Sequence, residues 1–211
     1  KPTVTLALHD LTGFNGRCDA IYFRQDLSDR PPPDDHRILS PWRKELLNLL
    51  EKEEVIGHYD FVIAGGGYAG MSAAIAAARM GLRVALIQNR PVFGGNASSE
   101  IRVPPRGLIP RDGPFPNLGK IVSELLFDQE VEARQATEED DPTYEARLQA
   151  EKNLTIFKNH HAFAVETQGQ HLTGVKILDT RSCTPKLIYG DYFADCTGHG
   201  TLGALAGADF M

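Results

Sequence analysis

Gly65-Gly-Gly-Tyr-Ala-Gly70 carries glycine at each fixed position of G-x-G-x-x-G. That spacing binds phosphate through backbone, not through side chains. Gly65 permits a tight turn, and Gly67 admits a diphosphate that any Cβ would block. Gly70 lets a helix pack closely on the strand before it. Tyr68 and Ala69 stand where that helix begins, so its unpaired N–H groups and positive dipole end face the anion. A second glycine turn lies in Phe93-Gly-Gly-Asn-Ala-Ser-Ser99. Gly94 and Gly95 offer backbone N–H groups to the same ligand, and Asn96, Ala97 and Ser98 follow with an amide and a hydroxyl. A third turn, Phe193-Ala-Asp-Cys-Thr-Gly-His-Gly200, places Thr197 and Gly198 where open α/β sheets bind ligands. Dinucleotide folds usually set an acid about 20 residues past the glycines, against the ribose hydroxyls. Here Gln88, Asn89 and Arg90 occupy that place. An amide bonds a diol without charge. Arg90 reads as a solvated loop residue or a cover for adenine, with a 2′-phosphate ligand as the alternative.

These turns need a parallel sheet to hold them. Phe61 to Ala64 is an apolar run of strand length, as in a strand covered on both faces. The alanine-rich stretch after Gly70 is the packing helix, with Gly81 at its C-terminal cap. Val84 to Gln88 is the second strand and Leu154 to Phe157 the third parallel one. Helices are expected over Leu118 to Arg134 and Thr143 to Lys152, around a solvated acidic bend at Thr137 to Asp141. The runs Ala162 to Glu166, Leu172 to Asp179 and Leu187 to Cys196 read as an antiparallel crossover meander, its end returning as the fourth parallel strand. Ala162, at the start of the meander, is counted among the cofactor contacts. The fold class is α/β: a Rossmann-like sheet with a meander crossover over residues 58–211.

Residues 1–57 differ in character. Thr3 to His9 alternates with period two, Gly13 to Gly16 is turn chemistry, and Arg17 to Phe23 is a second strand. Residues 1–30 thus read as a β-hairpin, the end of a β-sandwich. Residues 31–57 are a Pro-rich linker and a short helix from Pro41 to Glu54, with Pro41 in its first turn.

The net charge of -6, with no Lys/Arg cluster, argues against a nucleic-acid surface. No apolar run reaches the length of a membrane span. The 3 cysteines, Cys18, Cys183 and Cys196, show no C-x-x-C spacing, so neither a disulfide framework nor a metal site is expected. His160 and His161 are adjacent and point apart in a strand, which disfavours a metal pair. The chain opens inside a strand-like run and stops as a helix begins. It reads as a piece of a longer protein whose substrate domain lies beyond Met211, with more chain before Lys1.

Taken together, Gly65 to Gly70, the helix to Gly81, Phe93-Gly-Gly95 and Asp195-Cys-Thr-Gly198 resemble the FAD-dependent oxidoreductases of the glutathione-reductase-like class with two dinucleotide-binding domains. Cys196 and His199 depart from that family's pattern, which has alanine and an acid there. Asn89 to Val103 looks closest to a bacterial branch linked with polysaccharide degradation, in which an amide at Gln88 is common. The resemblance implies FAD as cofactor and a small polar substrate, sugar-derived in that branch. It leaves the catalytic acid or base unassigned. Ser98, Ser99, Glu100 and Arg102 are candidates to reach the reacting edge, and Arg106 and Arg111 to hold an anionic substrate. An NAD(P)-only reductase and a non-catalytic carbohydrate-associated module remain as alternatives.

Overall fold

The chain divides at Asn48 and Leu49 into two units. The structure, a computed structural model, describes residues 3–7, 21–26, 28–33, 35–48, 53–103, 119–125 and 140–209.

In the first unit, helix α1 runs His36–Leu46. Its start is set by Asp35, whose carboxylate accepts the Arg37 N–H at 2.9 Å and so satisfies one of the orphan donors of the first turn. It ends where Asn48 takes a left-handed φ of 48°. The expected Pro41–Glu54 helix is therefore corrected. Pro41 lies inside the helix, and the cap chemistry of Asp35 outweighs proline's preference for a first turn. Trp42 meets Tyr22 edge to face, ring centroids 5.1 Å apart. Residues 3–7 and 21–26 form no strand, while the turn and most of the expected hairpin lie outside the described residues.

The second unit is built on a six-stranded sheet in the order β3-β2-β1-β6-β5-β4. Its strands are β1 Glu54–Ala64, β2 Val84–Gln88, β3 Leu154–Lys158, β4 His160–Gln168, β5 His171–Asp179 and β6 Pro185–Asp195. β3, β2, β1 and β6 run parallel, with Ile63 opposite Leu86 on one side and Ala194 on the other. β5 and β4 continue antiparallel, as the meander pattern implied. β1 begins well before the apolar run, because β6 pairs with it from Glu54↔Lys186 onward.

Burial on both faces explains why Phe61 to Ala64 of β1 and Val84 to Ile87 of β2 are apolar throughout. Ile63, Val84 and Leu86 pack with Met71, Ala74 and Ile75 of helix α2 (Tyr68–Arg79) and with Leu125 of helix α3 (Lys120–Leu125). Tyr144 and Leu148 of helix α4 (Asp141–Gln149) join the same cluster. On the opposite face, Val62, Ala64, Ala85 and Ile87 pack with Ala162, Val175, Ile177 and Ile188. The meander thus curls over one face while helices cover the other, and both hydrophobic faces leave water. Leu202 of helix α5 (Thr201–Leu205) completes the second cluster. Gly81 takes φ 94° after α2, and Leu82 N–H reaches the Ala77 carbonyl at 3.1 Å, closing the helix as the sequence implied. Arg79 bridges Glu124 and Glu151, both at 2.9 Å, tying α2 to the segment before β3. Among the described residues, no helix is long and apolar enough to cross a membrane.

Candidate functional site

β1, β2 and β6 end side by side, and a glycine-containing turn follows each. β1 has β2 on one side and β6 on the other, so the chain reverses its winding there. Open α/β sheets bind ligands in the crevice at such a point. A cavity of about 520 Å³ opens there.

The three turns are stitched together by backbone. Cys196 N–H donates to the Ala64 carbonyl at 2.7 Å, and Gly94 N–H to the Gly66 carbonyl at 2.9 Å. Gly65 has φ 104°, and a Cβ there would stand 2.2 Å from the Cys196 carbonyl oxygen. A Cβ on Gly70 would stand 1.8 Å from the Gly65 carbonyl oxygen. Gly65 and Gly70 therefore serve the turn itself. Gly67 differs: a Cβ there meets nothing nearer than the Gly95 Cα at 3.9 Å. The side of Gly67 facing the cavity is open. Gly67 is also the N-cap of α2, with no side-chain bond to the first turn. The N–H groups of that turn have no partner inside the helix.

The cavity brings most of the expected residues together. Gly65, Gly67, Tyr68 and Ala69 line it from the first turn, as do Gly94, Gly95, Asn96 and Ala97 from the second. Thr197 and Gly198 line it from the third, and Gln88, Asn89, Arg90 and Ala162 also contribute. Gly70 lies behind the turn and Ser98 is 1 % exposed, neither on the cavity wall. Among the residues passed over in the sequence are Ile101 and Val103, which continue the wall beyond the second glycine turn. No motif marks them, since any apolar side chain can serve. His160, His161 and His199 line it too.

The side chains around the cavity are mostly committed. Gln88 is 4 % exposed; its Oε1 accepts the Gly66 N–H at 2.9 Å and its Nε2 donates to the Val92 carbonyl at 2.6 Å. Arg90 donates to Glu100 at 2.7 Å. The Tyr68 and Tyr144 hydroxyls share a bond of 2.9 Å, joining α2 to α4. Burial, then that hydrogen bond, pushes the Tyr68 phenol well above its usual range. Ser99 Oγ donates to Asp141 at 2.6 Å, and Arg102 donates to the Ser99 carbonyl at 2.7 Å. Ser99, Glu100 and Arg102 thus hold the second turn in place. Arg106 and Arg111 lie outside the described residues. Asp140 is 7 % exposed and begins α4, so the acidic bend expected there is not wholly solvated. The His160 ring lies between the Lys158 carbonyl at 2.8 Å and Lys186 Nζ at 2.9 Å, whereas His161 is exposed. Among the described residues, no group of His, Cys, Asp and Glu is placed to hold a metal.

Asp195 organises the third turn. Its Oδ1 accepts from Thr197 N–H at 3.0 Å and Thr197 Oγ1 at 2.7 Å; its Oδ2 accepts from Leu202 N–H at 2.7 Å and Gly203 N–H at 3.1 Å. Partial burial pushes the carboxyl up, but the bonds from Thr197, Gly203 and Leu202 outweigh it and hold the group below its ordinary value. A depressed folded-state pKa stabilises the fold above the unfolded value, and that stability drains as pH falls through the folded one. Asp195→Ala is expected to cost about 1–2 kcal/mol, as for loss of a helix cap. Thermal unfolding from pH 7 to pH 3 checks it: the gap between parent and variant narrows only at the acid end. Equal melting temperatures at pH 7 would contradict it. The Cys196 thiol beside it is pushed up by burial and by the Asp195 charge, both of which disfavour the thiolate.

Comparison with known proteins agrees with this geometry. The soluble pyridine nucleotide transhydrogenase of Ectopseudomonas mendocina is 43% identical over 51 residues, 24% of this chain and 11% of that protein. The chain therefore spans about a tenth of that relative's length. Among solved structures, THI4 of Thermovibrio ammonificans matches 82% of this chain and 70% of its own, at 21% identity and a TM-score of 0.50. The OxyS anhydrotetracycline hydroxylase of Streptomyces rimosus matches 73% of this chain and 34% of its own, at 20% identity and a TM-score of 0.50. These two likenesses concern the fold. The model of the FAD dependent oxidoreductase family matches residues 60–211, which hold all three glycine turns and every strand except the start of β1. With those turns converging on one cavity, the chain belongs to the FAD dependent oxidoreductases.

Proposed function

We propose that the protein is an FAD-dependent oxidoreductase of a small polar substrate, of sugar-derived class. The observation that carries the cofactor assignment is the open side of Gly67. It is the one glycine of the fingerprint whose missing Cβ leaves room in the cavity and not in the protein. The residues present fit FAD. Gly67, Tyr68 and Ala69 would face its diphosphate with helix N–H groups, where a negative charge is favoured. Gly94, Gly95 and Asn96 would approach the same region from the second turn, and Thr197 and Gly198 from the third. Ala162 would lie along the adenosine part. When bound, flavin supplies hydride or single-electron transfer, and the protein supplies orientation and electrostatics. The chain's own part is to hold the diphosphate by backbone, so that no side chain stands between it and the helix dipole. Asn89 to Val103, with its likeness to a branch linked with polysaccharide degradation, supports the sugar-derived class.

Purified full-length protein is the material for the test. It is expected to show flavin absorbance, or to gain it on reconstitution with FAD, and to bleach anaerobically with a sugar or sugar alcohol from a broad panel. A colourless protein that cannot be reconstituted would overturn the cofactor. A flavin reduced only by substrates of other classes would overturn the substrate class.

A further inference from the structure

The place where dinucleotide folds read the adenosine ribose is used here for something else. We infer that Gln88 is a clamp of the first glycine turn and not a ribose ligand, so the site reads its nucleotide without a charged contact to the ribose 2′-hydroxyl. The inference rests on the FAD reading above and concerns specificity within that same cavity.

The Gln88 amide lies between a donor and an acceptor that belong to different turns. Oε1 takes the Gly66 N–H at 2.9 Å, and Nε2 gives to the Val92 carbonyl at 2.6 Å. This pairing fixes which end is oxygen and which is nitrogen. The side chain is 4 % exposed, and a Cβ on Gly66 would already stand 3.0 Å from the Gln88 Cδ, so the amide is packed against the turn. Gly66 and Val92 each belong to one of the two turns that meet at the diphosphate site, and Gln88 ties them together. Among the described residues, no Asp or Glu lines the cavity to take over the ribose. Arg90, which also lines the cavity, gives a guanidinium N–H to Glu100.

A carboxylate at this position would change the clamp. Gln88→Glu replaces the Nε2 donor with an acceptor facing the Val92 carbonyl, where a hydrogen bond becomes a repulsion. A ribose-reading role carries the opposite expectation, since a carboxylate accepts more strongly from a diol than an amide does.

The test is equilibrium binding to full-length apoprotein of FAD and of the FAD analogue that carries 2′-deoxyadenosine. The expected ratio of dissociation constants is under about tenfold, the scale of an uncharged hydrogen bond. Gln88→Glu is expected to weaken both nucleotides by the same factor. A ratio above about tenfold in the parent, or a Gln88→Glu protein that tightens on FAD and not on the deoxy analogue, overturns the inference and leaves the FAD reading intact. Binding of neither nucleotide by the parent overturns the FAD reading and the inference with it.

Discussion

Gly70→Ala is expected to lose both a well-formed fold and the cofactor. A Cβ there would stand 1.8 Å from the Gly65 carbonyl oxygen, about half an ordinary contact distance. The obstructing atom is backbone, so no rotamer change relieves it. Gly65 cannot retreat either: its N–H donates to the Ile87 carbonyl at 2.8 Å, and its Cα faces the Cys196 carbonyl. Either α2 must lift from the sheet or the turn must open. The first exposes Met71, Ala74 and Ile75, which are fully or nearly fully buried against Ile63, Val84 and Leu86. A loss of roughly 3–5 kcal/mol follows, in the range of severe core disruptions. At 2–4 °C per kcal/mol, typical of a chain this long, the melting temperature should fall by about 6–20 °C. Thermal unfolding of the apoprotein, with the flavin content of the same preparation, checks it. A variant that melts with the parent and carries flavin would mean that α2 does not sit against the turn as described.

How much of this was legible in the sequence depended on how far a residue's reason lies from the residue itself. The glycine turns were legible because the backbone demands a missing side chain there, and only one residue type meets the demand. The parallel strands were legible because burial on both faces leaves an apolar run, and the meander because two turns interrupt alternating runs. The role of Gln88 was not. Residue type and position point to a ribose, but its partners Gly66 and Val92 are settled only when two turns meet in space. Asp195 was quoted within a motif, yet its work, collecting Thr197, Leu202 and Gly203, depends on how the chain bends after β6. In α1, proline misled because its preference for a first turn is a tendency, whereas the Asp35 carboxylate makes a definite bond to the Arg37 N–H. The early start of β1 is set by its partner β6, through pairs that its own polar residues do not announce.

Electrostatics follow the same division. The chain is acidic overall, yet among the described residues the cavity wall carries Arg90 and three histidines and no carboxylate. An anionic ligand fits that wall, and the backbone N–H groups of α2 would make its closest contacts. Holding a diphosphate by backbone has a consequence for substitution. Changes that leave the turn's geometry intact but put atoms into the cavity should remove the ligand without harming the protein.

Gly67→Ala makes such a change. Gly67 has φ -72° and ψ 179°, a conformation any residue adopts, and an added Cβ would have 3.9 Å to its nearest neighbour. The protein has no steric reason to resist it, and replacing glycine by alanine at an N-cap costs about 1 kcal/mol. The methyl group would stand where the diphosphate must approach the helix N-terminus. The decisive measurement is the FAD dissociation constant of full-length Gly67→Ala against the parent, beside the melting temperatures of both apoproteins. The expected result is unfolding within about 4 °C of the parent, as about 1 kcal/mol implies, and FAD affinity reduced by roughly a hundredfold or more. Unchanged FAD affinity in a normally folded variant would show that the diphosphate does not lie on this turn, and would contradict the assignment of the cavity.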